Sequence, residues 1–216
     1  MDFLLNLLFP PRCVLCRKVL GKNETDLCRH CRTHAPEFIK TKRNIPFVAR
    51  WTALWYYKDD VRASIHRFKF GSARHYAAIY GRMLSMRLLD TPFADFDIIS
   101  WVPVGPLRKL RRGYDQSYLL AEAVSQELGA KPVQVLRKVR NTPPQSGIPD
   151  AAKRRANVRN AYKVTDPLSI AGKRILLLDD VITTGATCSE CAKTLLTAGA
   201  KEVFCAAVAA TSHDKK

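Results

Sequence analysis

Acidic side chains are scarce in this chain of 216 residues. Nineteen Asp and Glu stand against thirty-six Lys and Arg, giving a formal net charge of +17 and a sequence pI near 9.9. A summed field of that sign favours polyanionic partners: nucleic acid, pyrophosphate-bearing substrates or an anionic surface. Taken singly, many of these bases need do no more than keep the chain in solution. Long apolar runs are also missing. The N-terminal stretch MDFLLNLLFPP gives out at Pro10, well short of the roughly 20 residues a bilayer span needs. It lacks the basic leader and small-residue cleavage site of an export signal, so no membrane span is expected. Leu4, Leu5 and Leu8 share one face of an expected helix, docked on the body or on a partner chain. The seven cysteines are odd in number and carry no export signal. They point to a reducing, cytoplasmic setting and to metal rather than disulfides. Apolar residues at 47% and charged ones at 25% exclude a disordered chain. The length allows one full domain with a small appendage.

The most telling segment is ILLLDDVITTGAT, residues 175–187. Four unbroken apolar residues predict a strand buried on both faces of a parallel sheet. Asp179 and Asp180 follow where that strand is expected to end. Thr183, Thr184, Gly185, Ala186 and Thr187 then form a short loop opening a helix over 188–198. Backbone N–H groups at a helix start, with threonine hydroxyls beside them, make a phosphate site. Carboxylates cannot hold a phosphate directly; they suit the hydroxyls of an attached sugar, or its metal ion. In open α/β sheets, ligands sit at the carboxyl ends of strands, where this loop lies. The residues describe a sugar-phosphate site. The alternative is an ordinary strand–turn–helix of an α/β core.

At the other end, Cys13 and Cys16, eleven residues, then Cys28 and Cys31 form two C-x2-C knuckles. Tetrahedral zinc takes four such thiolates, and a closed shell of protein ligands makes the ion structural. His30 and His34 are not needed, unless one replaces a cysteine. Such a module either binds nucleic acid or staples a small fold. Cys188 and Cys191 lack a second pair, and Cys205 sits in an apolar run over 203–210; all three are expected to act as buried small hydrophobes.

Strands are also expected over 51–57, 98–104, 131–136 and 158–164, and helices over 62–89, broken near Gly71 and Ser72, and over 117–128. Lys69, in the first of those helices, is read equally well as a ligand contact or as one charge on a solvated face. After residue 104, Gly105 and Pro106 lead into RKLRRGYDQ, again a strand, tight loop and helix offering donors to an anion. The stretch from residue 137 to residue 157, rich in Pro, Gly and basic residues, is a long irregular connection of the kind that serves as a lid. Over 101–160 there are twelve Lys and Arg against four Asp and Glu. That local excess fits a lid over a polyanion, a loop on DNA phosphates, or a loop that contacts nothing.

These segments resemble a known family when read together. The 175–187 stretch is similar to the phosphoribosyl-pyrophosphate (PRPP) motif of type I phosphoribosyltransferases. By that likeness Asp179 and Asp180 are the catalytic acids on the ribose hydroxyls, and Thr183, Thr184, Gly185, Ala186 and Thr187 wrap the 5-phosphate. Val104, Gly105, Arg108 and Arg112 match the pyrophosphate loop, and Arg137, Arg140 and Arg154 belong to the lid that excludes water and neutralises the leaving group. CVLC with CRHC, FKFGS, VPVGPLRKLRRGYDQSYLLA, RNTPPQSG with KRRANVRNAY, and ILLLDDVITTGAT occur in the order of the competence protein F (ComF/GntX) family. One departure is Tyr114-Asp115, where that pattern has Phe-Asn before Gln116. The resemblance implies an α/β, type I phosphoribosyltransferase-like body over 46–216, with a mainly parallel sheet and flanking helices. It also implies a zinc-ribbon-like head over 1–45, with structural Zn²⁺ on Cys13, Cys16, Cys28 and Cys31. Mg²⁺ would accompany PRPP. Two functions follow: a Mg²⁺-dependent phosphoribosyltransferase working in DNA uptake, or a non-catalytic protein of the competence machinery. The second would bind single-stranded DNA, or serve as adaptor to a helicase or uptake protein, with a regulatory or vestigial PRPP site.

Overall fold

A computed structural model describes residues 9–39, 43–90, 95–142 and 151–212, apart from the side chains of residues 151, 152 and 155. The expected N-terminal helix and the middle of the expected lid, 143–150, lie outside the described residues. In chain order the elements are α1 (Arg29–His34), β1 (Arg50–Tyr56), α2 (Asp59–Phe70), α3 (Tyr76–Leu89), β2 (Ile98–Trp101), α4 (Pro106–Arg112) and α5 (Gln116–Glu127). There follow β3 (Leu136–Lys138), α6 (Ala151–Val158), β4 (Tyr162–Val164), α7 (Pro167–Ile170), β5 (Arg174–Ile182), α8 (Ala186–Thr197) and β6 (Glu202–Ala210).

Strands β1, β6, β5 and β2 lie side by side in that order, all parallel. Successive side chains of a strand leave on opposite faces. Leu176 and Leu178 therefore join a core with α2, α3 and α5, while Ile175 and Leu177 join a second core with α8. An unbroken apolar run is what two buried faces demand. Both sheet edges are covered. Phe38 N–H donates to Leu54 O (2.9 Å) beside β1, and Val133 N–H to Ile99 O (2.9 Å) beside β2. Helices α3 and α5 pack so closely that a Cβ at Gly81 would stand 2.5 Å from the Ala123 Cβ.

The cysteine-bearing head is not a separate globule. Val14 and Leu15, both buried, share the core of Ile65, Phe68 and Tyr80. Arg82 on α3 pairs with Asp26 at 2.7 Å. No helix among the described residues is long and apolar enough to cross a membrane.

Four expectations about the elements need correction. The strand expected over 98–104 stops at Trp101. The acids do not follow the end of their strand: β5 runs on to Ile182. Of the strand expected over 131–136, only Leu136 belongs to β3, because the residues before it serve as the cover along β2. Of the strand expected over 158–164, only Tyr162–Val164 pairs, antiparallel with β3, and Val158 instead closes helix α6 in what was expected to be irregular chain. Proline and glycine cluster before that helix, and the alanine- and arginine-rich stretch after them is free to coil.

Candidate functional site

Two ladders of unequal length open the cleft. The β5–β6 pairing continues through Ile182 and Ala210, but the β2–β5 pairing stops at Trp101 and Leu178. From Asp179 onward β5 thus has one flank without a strand, and a cavity of about 160 Å³ occupies it. Asp179, Asp180, Thr183 and Thr187 line this cavity together with Lys69, Val104, Arg108, Arg112, Ser117, Lys138 and Tyr162. A larger cleft of about 710 Å³ lies between head and body beside Arg67 and Tyr76, but neither the acid pair nor the threonine loop reaches it.

Asp180 is buried and forms an ion pair with Lys69 at the end of α2, Nζ to Oδ1 2.7 Å. Asp179 accepts from Ser117 Oγ at 3.2 Å and from the Asp180 amide at 2.8 Å. Burial, and then the neighbouring Asp180 charge, push the Asp179 carboxyl up to about 7 despite Lys69 and these hydrogen bonds.

The threonine loop is shaped from below. Gly185 has φ +79°, and a Cβ there would lie 2.8 Å from Ile45 Cγ1. No L side chain fits that conformation and that space together. Arg43 donates to the Thr183 carbonyl, which also accepts from Thr211 Oγ1 at 3.0 Å. With its carbonyl turned down into the protein, the loop presents its other side to the pocket. The amides of Thr184 and Gly185 have no hydrogen-bond partner among the described residues, and that of Ala186 makes only a long 3.4 Å contact with Thr184 Oγ1. Donors at the start of a helix are thereby left for an anion.

Opposite the acids lies a basic roof. Val104 and Gly105 hand the chain to α4, and the Val104 amide donates to Asp115 Oδ2 at 3.2 Å. Asp115 also caps α5 by accepting from Tyr118 N–H at 3.1 Å, so the departure from Asn keeps the capping role. The other departure adds a bond, since the Tyr114 hydroxyl donates to Phe68 O, which phenylalanine cannot do. Arg108 donates to Thr142 O, and Arg112 donates to Gln116 Oε1 at 2.7 Å while standing 4.9 Å over the Phe70 ring. Burial and the nearby Arg112 lower the Arg108 guanidinium from its ordinary range.

Lys138 was not singled out from the sequence. On β3 alternate residues face opposite ways, so Lys138 enters the cavity while Arg137 is exposed outside it. Its ammonium lies 5.3 Å from the Tyr162 ring centre. Burial, followed by the Arg108 charge, lowers it to about 8. Arg140 donates outward to Asn157 O at 2.8 Å. Neither Arg140 nor Arg154 is among the lining residues. The structure therefore gathers Arg108 and Arg112 at the cavity and leaves Arg137, Arg140 and Arg154 away from it. Only the strand alternation of β3, hidden until the strand itself is placed, distinguishes Lys138 from its neighbours.

The four head cysteines converge. Their sulfur atoms all lie within 4.8 Å of one another, with Cys16 and Cys28 3.6 Å apart. Four sulfurs around a tetrahedral zinc, at bonds of about 2.3 Å, stand about 3.8 Å apart. Donor type and spacing fit zinc, and His30 and His34 stack on each other 4.5 Å apart outside the cluster.

Comparison with known proteins follows the same division. Residues 4–43 match a double zinc ribbon domain and residues 115–216 a phosphoribosyl transferase domain. The DNA utilization protein YhgH of Salmonella typhi is 34% identical over 152 residues, 68% of this chain and 66% of that protein, so the chain spans about two thirds of its length. Competence protein F of Haemophilus influenzae is 26% identical over 215 residues, 89% of this chain and 93% of its own. The YhgH protein of Escherichia coli K12 is 29% identical over 201 residues, 88% and 86% of the two chains. Among solved structures, the glutamine PRPP amidotransferase of B. subtilis, complexed with ADP and GMP, is 22% identical, covers 64% of this chain and 29% of its own, and gives a TM-score of 0.44. The PRPP synthetase of Mycobacterium smegmatis is 21% identical over 60% of this chain and 33% of its own, with a TM-score of 0.40.

Proposed function

We propose that this chain, which belongs to the competence protein F and YhgH family and joins a double zinc ribbon to a phosphoribosyl transferase domain, binds PRPP and works in DNA utilisation. The observation that carries this is the convergence on one cavity of an acid pair and a threonine loop at a helix start. Carboxylates without a phosphate donor beside them would read as a metal or ion-pair site. A phosphate nest without carboxylates would read as a generic anion site.

In this assignment the amides and hydroxyls of residues 183–187 hold the 5-phosphate, and Asp179 and Asp180 hold the ribose hydroxyls. Arg108, Arg112 and Lys138 face the pyrophosphate. Mg²⁺ arriving with PRPP would share the neutralisation of that leaving group. As positive charge develops at C1, the fixed acids stabilise it more than they stabilise the ground state. The four-cysteine cluster holds a structural zinc, and a reducing compartment such as the cytoplasm keeps its thiolates available.

The test is thermal. PRPP with Mg²⁺ should raise the melting temperature of the zinc-loaded chain, and Asp180→Asn should abolish the gain. A wild-type protein indifferent to PRPP would remove the assignment. Release of pyrophosphate across a panel of bases then decides whether transfer occurs.

A second function is favoured by helix α4, which has no buried residue and exposes Lys109 and Arg111 with Leu107 and Leu110. That outer face, basic and apolar and exposed among the described residues while Arg108 and Arg112 turn to the cavity, suits a non-catalytic protein of the competence machinery that holds single-stranded DNA or docks on a helicase. Its DNA affinity should fall steeply with salt as counterions are released; affinity indifferent to salt would count against it.

A further inference from the structure

Helix α2 touches the cysteine head through Ser64 and Arg67 and the sugar-phosphate cavity through Lys69, two residues past Arg67. Val14 and Leu15 are the two residues between Cys13 and Cys16, the first metal knuckle. Their carbonyls face α2: Ser64 Oγ donates to Val14 O, and Arg67 Nη2 donates to Leu15 O and, at 3.1 Å, to Val14 O. Arg67 Nε reaches the Tyr76 hydroxyl at 3.3 Å, which fixes the guanidinium from its other side. Lys69 then crosses the cavity wall to Asp180 at 2.7 Å. The last turn of α2 is held again at Phe68 O by the Tyr114 hydroxyl, and at the Phe70 ring by Arg112.

We infer that Lys69 is a binding residue of the sugar-phosphate cavity, and that Arg67, seated on the carbonyls of the metal knuckle, is the residue that positions it. The filled cysteine cluster is thereby part of the sugar-phosphate site. This rests on the PRPP assignment above. Asp179 and Asp180 adjoin in one cavity, and the Lys69 ammonium sets a positive charge against this pair beside the space the ribose hydroxyls would take. A knuckle closed on its metal presents the two carbonyls as a fixed pair. A knuckle without metal has no such constraint, and Arg67 then loses the acceptors that set the pitch of the last turn. The aliphatic stem of Lys69 cannot compensate, because its charge must land on one buried carboxylate oxygen.

Energetic coupling between two sites is reciprocal: whatever factor zinc contributes to PRPP affinity, PRPP must contribute to zinc affinity. The experiment uses the full zinc-loaded chain, Mg²⁺-saturated PRPP, and zinc retention read by competition with a chromogenic chelator. PRPP should strengthen zinc retention by about five-fold or more, the lower end of typical coupling. Arg67→Met should still carry one zinc per chain and still melt cooperatively, yet lose that strengthening and bind PRPP more weakly. Arg67→Lys, which keeps a donor, should restore part of both. Lys69→Met should lose PRPP affinity without altering zinc retention in the absence of PRPP. A protein that binds PRPP while its zinc retention stays unmoved overturns the inference alone. So does an Arg67→Met variant with full coupling. Failure of PRPP to bind the zinc-loaded wild type overturns the pocket assignment together with it.

Discussion

Replacing Gly185 by alanine tests the threonine loop at its tightest point. Two costs add. The left-handed backbone, φ +79°, costs an L-residue about 1–2 kcal/mol. The new methyl would also stand 2.8 Å from Ile45 Cγ1 and 2.9 Å from Cδ1; forcing a methyl into a packed site costs about 1–3 kcal/mol. Together they come to about 2–5 kcal/mol, and at about 2–4 °C per kcal/mol for a chain of this size the melting temperature falls by roughly 4–20 °C. Truncating Ile45 separates the two costs. Ile45 is 1% exposed, and Ile45→Ala alone should cost about 2–5 kcal/mol through the cavity it leaves. In the double variant the added methyl enters that cavity, so the loss should be smaller than the sum of the singles by about the 1–3 kcal/mol of relieved overpacking. Thermal and urea unfolding of the four zinc-loaded proteins supplies the cycle. PRPP affinity should stay low in the double variant, because the backbone conformation that aims the amides is still disfavoured. Additivity to within about 0.5 kcal/mol would refute the contact with Ile45, and an unchanged Gly185→Ala would refute the whole account.

PRPP affinity should trace a bell in pH. Asp179, raised to about 7 by burial and Asp180, must lose its proton to accept from hydroxyls, while Lys138, lowered to about 8 by burial and Arg108, must keep its proton to face pyrophosphate. The optimum therefore falls near pH 7.5, Asp179→Asn should remove the acid limb, and Lys138→Met the alkaline one, as calorimetric titration would record. Without ligand the sign at Asp179 reverses: the folded state holds this proton more tightly than the unfolded chain, so stability from this group declines as pH rises from about 4 to 7. A flat melting profile over that window would contradict the shift. Tyr114→Phe removes one hydrogen bond to α2, a loss of about 0.5–1.5 kcal/mol readable in urea midpoints, and should weaken PRPP along with it. Stripping zinc with a chelator should expose residues 13–31 to protease first and lower the melting temperature of the remainder, since Val14 and Leu15 sit in the core shared with Phe68; unaltered proteolysis there would contradict a structural ion.

What the chain discloses from its residues is what is local. β5, the threonine loop and α8 are consecutive, so run length, acid pair and small residues lie within one window, and the two cysteine knuckles announce themselves by spacing. The features that escaped depend on neighbours far along the chain. Nothing around Asp179 tells that β6 continues to pair while β2 stops, and that inequality opens the cleft. Lys69 stays undecided between a ligand contact and a solvated charge, and Lys138 looks like any other base, until α2 and β3 are placed against β5. Arg43 reaches the Thr183 carbonyl across 140 positions, and no periodicity connects the two. Strand β3 is three residues long, too short to impose a pattern of its own.

The segment that links head and body has a consequence for how the chain can be divided. Arg43 grips the underside of the threonine loop and Ile45 plugs the hollow beneath Gly185. A scission at residue 45, the natural place to trim the ribbon away, would pull the floor from under that loop while leaving all of residues 175–187 intact. The two modules are thus welded beneath the threonine loop, and a body liberated from its ribbon would keep its signature sequence and forfeit the loop's shape.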